Sequence, residues 1–478
     1  MKKYVKRIIS VVLLIAIAVG GLWYADRVLV PKRLDGIVSM QDFYAQPEGT
    51  VDVLLVGNSH SGVNIDTATL WSEYGLSAYD LWGGVQPLWN SYHFIVEALK
   101  YQRPKLICLE IMATTSDYEY SEEQNQIKNV VGMKFSKNRL DAAKVSTPED
   151  NWFNLFLGLP LYHNRFDELG ENDFRHFPWS EGLENYKGSY LLYGVGNYKM
   201  ESAEGVTARR DIMDKQLEYL LKIIELCKSE NIPLMLLKTP AVERTYEQEI
   251  YNTVADIAEE NDLNFVNMNL MDAELGITEQ DYSTDRHMNG SGARKVAHWL
   301  GEYMRENYAL EDHRGDERYN SWELNAHSIN NNYLTLVKEN ADYFAELREN
   351  GRSVLVVKND PWMDNAEFDA LAAELDSIGL HGISERDGAK DAFLIDDTVT
   401  GGEAPASITG EAVSFTLDGK ELTVSFEYQD IVYGGKRLIW FGTRDIIIVV
   451  YDNATHEVVD ITDFTSGSRF ELHHSLRD

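Results

Sequence analysis

The first thirty residues constrain the chain more than any other stretch. Residues 8–25 (IISVVLLIAIAVGGLWYA) carry no charged side chain, and a run of that length is about the minimum for a helix that crosses a bilayer. Lys2, Lys3, Lys6 and Arg7 precede it and few cations follow closely, a bias that puts the N-terminus inside and the remainder outside. Trp23 and Tyr24 fall where interfacial aromatics belong. Ala16 and Ala18 offer small residues for the competing reading, a cleaved signal peptide. The length of the run, and aromatics that continue past that cut, favour an anchor. The expectation is a single-pass cell-membrane protein with its bulk outside the cytoplasm, residues 1–30 being cytoplasmic tip and anchor.

Residues 31–49 read as a stalk, because Pro31, Gly36, Pro47 and Gly49 interrupt regular structure. An α/β pattern follows. Residues 51–56 (VDVLLV) form a near-continuous apolar run, as a strand buried on both faces of a parallel sheet requires. Further strands are predicted at 77–82, 106–110, 234–238 and 265–267, with helices over 89–100, 211–230, 247–260 and from about 291. Strands alternating with helices argue for a parallel sheet covered on both faces. Residues 115–206 are too long for a plain connection and read as an inserted helical cap over the C-terminal edge of the sheet. The catalytic-type domain is predicted to span 50–312. A charged stretch at 311–320 (EDHRGDERYN) marks a boundary. Residues 320–478 then read as a separate α+β, β-rich domain, with a hairpin turning at Asp418-Gly419 and another at 452–456.

Charge and cysteine usage narrow the partners. The net charge of -33, from 77 acidic against 44 basic residues, repels polyanions and argues against nucleic acid. Cys108 and Cys227 lie in apolar contexts (LICLE, IIELCKSE) and read as small buried hydrophobes, not a disulfide framework or a zinc site.

The chemistry-bearing residues sit at strand ends. The first strand runs into Gly57-Asn58-Ser59-His60-Ser61-Gly62, which places Ser59 in the crevice where open α/β sheets bind ligands. Backbone N–H groups of such a turn can hold an oxyanion. Thr284-Asp285-Arg286-His287-Met288-Asn289-Gly290 precedes the last helix of the domain, and its loop returns to the same edge. His287 is placed to take the Ser59 proton, with Asp285 to orient it. The serine follows the first strand, Ser61 replaces the last glycine of G-x-S-x-G, and Asp285 stands two residues from His287. Those marks exclude the α/β-hydrolase elbow.

The block Gly57-Asn58-Ser59-His60-Ser61 resembles the first block of the SGNH/GDSL hydrolases, and Asp285 with His287 resembles the last, in a D-x-H spacing where D-x-x-H is usual. The resemblance implies a flavodoxin-like, three-layer α/β/α fold over about residues 50–308. It also implies that Gly83 or Gly84, in LWGGVQPLWNSY, supplies an oxyanion donor. The family's G-x-N-D block is absent after 106–110, so its asparagine donor needs a substitute, for which Gln86 and Asn90 stand available. Lys238, ending its strand in LKTP, is a candidate substrate contact or an ordinary exposed lysine. The chain is most similar to membrane-anchored, DltD-like and polysaccharide O-acetyltransferase-like members. These imply acyl transfer or deacylation on a surface glycan or teichoic acid, with the acyl group passed from a multipass membrane acyltransferase. Residues 343–360 and 446–460 are similar to interleukin-like EMT-inducer domains, which implies a glycan-binding accessory.

The sequence thus points to a serine esterase or acyltransferase with Ser59, His287 and Asp285 as its catalytic set, using no metal and no cofactor. Two other readings stand beside it: a catalytically silent scaffold in envelope-polymer assembly, and a metal-dependent hydrolase built on Asp285, His287 and His60, for which too few ligands are in view.

Overall fold

The computed structural model describes residues 2–474 apart from 175–186, 197, 199–202, 204, 243, 338–339, 348–350, 360–364, 381–389, 396–402, 407–411 and 465–472. The chain divides into two compact units, Met1–Ala326 and His327–Asp478.

The first unit begins with helix α1 (Lys2–Leu29), of which Tyr4–Leu29 is long and apolar enough to cross a membrane; a signal sequence passes the same test. The following residues differ from the stalk expected of them. Leu34–Val38 and α2 (Ser39–Phe43) fold back onto the domain, and Ile37, Val38, Met40 and Phe43 are buried. Tyr79 Oη donates to the Ser39 carbonyl at 2.7 Å. Apolar side chains hidden among the Pro and Gly breakers made this stretch part of the core.

The core is a five-stranded parallel sheet in the order β2-β1-β3-β4-β5: β1 (Val53–Gly57), β2 (Ala78–Trp82), β3 (Leu106–Glu110), β4 (Leu234–Lys238) and β5 (Asn264–Asn267). This is the flavodoxin-type doubly wound order. The near-continuous apolar composition of β1 to β4 follows from burial on both faces, every residue of the four being buried. Covering helices are α3 (Ser59–Asn64), α4 (Thr67–Tyr74) and α5 (Leu88–Ala98). After them come α6 (Glu123–Val131), α7 (Lys137–Ser146), α8 (Trp152–Leu157) and α9 (Leu159–Tyr162), all within the insertion, then α10 (Asp214–Glu230), α11 (Thr245–Glu260), α12 (Asp272–Leu275) and α13 (Gly290–Asn307). Val296, Ala297, Leu300 and Met304 of α13 close one face over Val53, Leu55, Leu106, Cys108, Met235 and Leu237.

The insertion is helical as expected through 162, but its last part does something else. The Asp80 N–H donates to the Lys187 carbonyl at 2.8 Å, and the Tyr190 N–H to Gly62 O at 2.6 Å. Trp82 Nε1 donates to the Gly188 carbonyl. The segment therefore covers the free edge of β2, a protection against edge pairing. Gly188 is required there: its φ is +89°, and a Cβ would stand 1.9 Å from Asp80 O.

The second unit is described by itself. The division falls within α14 (Asn320–Leu334), followed by α15 (Asn340–Leu347) and α16 (Asn365–Ser377). A six-stranded sheet runs β15-β14-β13-β6-β7-β8 and a four-stranded one β12-β11-β10-β9, from β6 (Arg352–Lys358), β7 (Asp391–Ile395), β8 (Glu403–Ala406), β9 (Ala412–Leu417), β10 (Lys420–Ser425), β11 (Asp430–Tyr433), β12 (Lys436–Trp440), β13 (Ile446–Asp452), β14 (Glu457–Phe464) and β15 (His473–His474). Alternation decides the layering. Val354, Val356, Ile446 and Ile448 pack with Tyr343, Phe344 and Leu371 from the helices. Leu355, Val357, Ile447 and Val449 pack with Leu422, Val424 and Ile431 of the smaller sheet. Asp418 and Gly419 turn the β9–β10 hairpin with φ of +48° and +68°, the left-handed pair a two-residue hairpin demands.

Candidate active site

Ser59 opens α3 directly after β1. Asn58 caps that helix, its Oδ1 accepting the His60 N–H at 2.9 Å. His287 comes from the other end of the domain. Tyr282 and Met288 pair as an antiparallel bridge, so residues 282–288 form a short hairpin leading to the Asn289 cap of α13. Parallel strands put both loops at the C-terminal edge of the sheet. There His287 Nε2 lies 2.8 Å from Ser59 Oγ, and both residues are half-buried. The serine and histidine singled out in the sequence are therefore in hydrogen-bond contact across 228 positions.

The far side of the imidazole differs from the expectation. His287 Nδ1 faces Thr284 Oγ1 at 3.1 Å, and among the described residues no hydrogen bond joins the Asp285 carboxylate to the ring. Asp285 is exposed. Its carbonyl accepts the Val242 N–H at 3.0 Å, and its charge reaches His287 as a field that raises the imidazole pKa. The cause is a tight turn. Thr284 Oγ1 accepts the N–H groups of Arg286 at 3.2 Å and His287 at 3.0 Å, while the His287 carbonyl accepts from Ser283 and Thr284. A threonine closing its own turn in this way occupies the place that an orienting carboxylate takes in a Ser-His-Asp triad. It also bears on the tautomer. Base action at Nε2 requires the ring proton on Nδ1, where Thr284 Oγ1 at 3.1 Å is the acceptor within reach.

Burial lowers the His287 pKa below its ordinary 6.5, the Asp285 charge opposing and the Arg286 and Lys238 charges assisting. The ring is thus neutral at pH 7, the state a general base needs. His60 lies beside it, ring centroids 5.5 Å apart, and is driven well below 6.5 by burial first and then by Lys238 and His287.

Lys238 corrects the expectation of an exposed or substrate-holding lysine. It is fully buried, its Nζ donating to the Thr239 carbonyl at 2.5 Å and lying 3.4 Å from His60 Nδ1 and 3.9 Å from Glu110 Oε1. A buried cation beside a buried carboxylate is a support beneath the site, not a contact for substrate. A second buried acid, Asp80 on β2, accepts from Ser61 Oγ at 2.8 and 3.0 Å. Burial pushes its carboxyl up to about 8, eased by the serine and reinforced by Glu110.

The donors expected around the oxyanion divide. Gly57 pairs with Trp82, so Ser59 and Gly83 leave adjacent strands at the same rim. A Cβ on Gly83 would lie 1.9 Å from Asn129 Oδ1, so any side chain there must displace Asn129. The Gly84 N–H is committed to Asp35 Oδ2 at 3.1 Å. Gln86 and Asn90 are both fully buried. Gln86 Nε2 donates to Ser91 Oγ at 3.1 Å. Asn90 Nδ2 donates to Ser146 Oγ at 2.9 Å and Asn129 O at 3.2 Å. Asn90 thus holds the insertion to α5 and Gln86 ties the preceding loop to that helix, so both amide nitrogens are engaged away from Ser59.

One residue that the sequence reading passed over ties the site together. Asn64, fully buried at the end of α3, accepts the Met288 N–H through Oδ1 at 3.0 Å. Its Nδ2 donates to Thr239 Oγ1 at 3.1 Å and Pro240 O at 3.2 Å. The helix bearing Ser59 is thereby bonded to the hairpin bearing His287. Arg286 anchors the same hairpin from outside through two bonds to Glu247, at 2.9 and 3.2 Å. The spacing of Thr284 to His287 was a readable signal for the threonine turn; nothing local marks Asn64.

No protein-family profile and no curated protein matches the chain. Among solved structures, a provisionally assigned acylhydrolase from Bacteroides fragilis aligns with 56% of this chain and 94% of its own at 11% identity, with a TM-score of 0.28. A gut microbial diltiazem-metabolizing enzyme aligns with 55% of this chain and 48% of its own at 13% identity, with a TM-score of 0.20. At those scores the likeness carries no argument, and the reading rests on the geometry of the site.

Proposed function

We propose that the chain is a membrane-anchored, extracytoplasmic serine esterase or acyltransferase of the SGNH type, forming an acyl-enzyme on Ser59. The observation that carries this is the 2.8 Å approach of His287 Nε2 to Ser59 Oγ at the C-terminal rim of a doubly wound sheet. In the proposed cycle His287 takes the Ser59 proton as Oγ adds to an ester carbonyl. The N–H groups of Ser59 and Gly83 are the donors offered to the oxyanion. The imidazolium then returns its proton to the departing alkoxide, leaving acyl-Ser59. Water or a sugar hydroxyl, deprotonated by the same imidazole, releases the acyl group. Water as acceptor makes an esterase; a hydroxyl of a surface glycan or teichoic acid makes a transferase. An acetyl group, delivered by a multipass membrane acyltransferase, is the acyl group proposed. The helix α1 supports the anchor. In the second unit, the exposed aromatics Tyr428 and Trp440 fit the stacking of sugar rings and support a carbohydrate-binding accessory.

The second reading is a catalytically silent, glycan-binding scaffold, and the contact of His287 Nδ1 with a threonine in place of a carboxylate favours it. A serine-directed fluorophosphonate with intact-mass readout separates the two. Wild type gains one adduct, mapped to Ser59, and Ser59→Ala gains none and loses hydrolysis of an activated acetyl ester. Equal ester turnover in wild type and Ser59→Ala ends the enzyme reading.

A further inference from the structure

Every phenylalanine among the large hydrophobics exposed in the described residues lies in the insertion: Phe135 at 58% exposure, Phe153 at 54%, Phe166 at 71% and Phe174 at 56%. Isolated exposed apolar residues need no explanation, but several rings in one insertion do. That insertion is tied to the last turn of α1. Tyr162, buried, donates to Asp26 of α1, and Arg165 Nη1, next to Phe166, donates to the Leu29 carbonyl at 2.7 Å. Arg165 also bonds Asp173, next to Phe174, at 3.2 Å. Phe135 packs edge-on against Phe156 at 5.4 Å and lies under Arg139, which donates to the Leu157 carbonyl at the end of α8. Phe166 and Phe174 thus stand next to residues tied to the end of α1, and Phe135 and Phe153 lie earlier in the same insertion.

We infer that these exposed phenylalanines seat the insertion in the interfacial layer of the bilayer that α1 crosses. The inference rests on reading α1 as a membrane span. Continuity carries it: the segment bearing Phe166 is hydrogen-bonded to the end of the span through Tyr162 and Arg165. The chemistry fits a lipid surface. Uncharged aromatic rings enter the headgroup boundary, whereas the strongly acidic remainder of the protein is repelled by anionic lipid.

The test uses the full chain in phosphatidylcholine nanodiscs, with single cysteines carrying the environment-sensitive dye NBD. Native Cys108 and Cys227 are buried and free and do not compete for label. Labels at Phe153→Cys and Phe166→Cys are expected to emit at least twofold more strongly than one at the exposed Leu270→Cys beside β5, and to be quenched by lipid spin-labelled near the headgroup. A label at Ile15→Cys, within α1, reports the span by quenching from lipid labelled deep in the chain. If Ile15 is quenched while 153 and 166 behave like 270, the seating is wrong and the anchor stands. If Ile15 is not quenched, the anchor reading and this inference fall together.

Discussion

Replacing Asp285 by asparagine separates two kinds of catalytic set. Where a carboxylate is hydrogen-bonded to the base histidine, its conversion to the amide costs about 10⁴ in kcat, chiefly by setting the wrong tautomer. Here the Nδ1 neighbour is Thr284 Oγ1, and Asp285, exposed to solvent, acts on His287 through its field. A unit charge acting without a hydrogen bond, at an effective dielectric of about 20, is worth at most about 2 kcal/mol against the developing imidazolium. Solvent screening of an exposed group lowers that further. The expected loss in kcat/KM for Asp285→Asn is therefore about 3- to 30-fold, read by steady-state hydrolysis of p-nitrophenyl acetate at low salt. Raising the salt should shrink the difference, since a screened field and not a bond is being removed. A loss of 10³ or more with the fold intact by circular dichroism would refute the argument. It would mean that the working enzyme swings the carboxylate onto Nδ1 in place of the threonine.

Three other outcomes follow from the same geometry. Asn64→Ala leaves the Met288 N–H and the Pro240 carbonyl without their partner, each costing about 1–3 kcal/mol, so a stability loss of several kcal/mol is expected by urea denaturation; at permissive temperature kcat should fall with KM held. The pH profile of kcat/KM should rise through a pKa below 6.5, because His287 must be neutral to accept a proton and burial depresses its pKa; a rising limb centred above 7 would contradict this. Asp80 carries the opposite sign for stability. Its folded pKa, near 8, lies above the unfolded value of 3.8, so its contribution is full below about pH 4 and is lost as pH rises towards 8. Asp80→Asn should accordingly gain stability relative to wild type between those limits, and a pH-independent difference in thermal midpoint would count against it.

Strands and the serine–histidine pair were legible in the sequence for one physical reason. A strand buried on both faces must be apolar almost throughout, so residues 53–57 and 234–238 announce themselves, and their C-terminal ends fix where polar side chains gather. What failed to show was partnership across the chain. Gln86 and Asn90 have the chemistry of oxyanion donors, yet Ser91, Ser146 and Asn129 claim them. Lys238 ends a strand as an exposed lysine can, but Glu110 and His60 lie beside it in the core. Asn64 carries no local mark, because its role lies in groups more than 170 positions away. Polar residue type gives chemical capacity, and only the tertiary fold assigns it to structure or to reaction.

Folding residues 34–43 into the core has a mechanical consequence. A free tether spanning 31–49 would reach about 60 Å when extended, letting the serine sweep a thick shell of the cell envelope. With Phe43 and Met40 sunk in the domain and Arg165 clasping the end of α1, that leash has no length. Under the proposed anchorage the site would stand at one altitude above the bilayer, and a polymer substrate would have to be brought to that height.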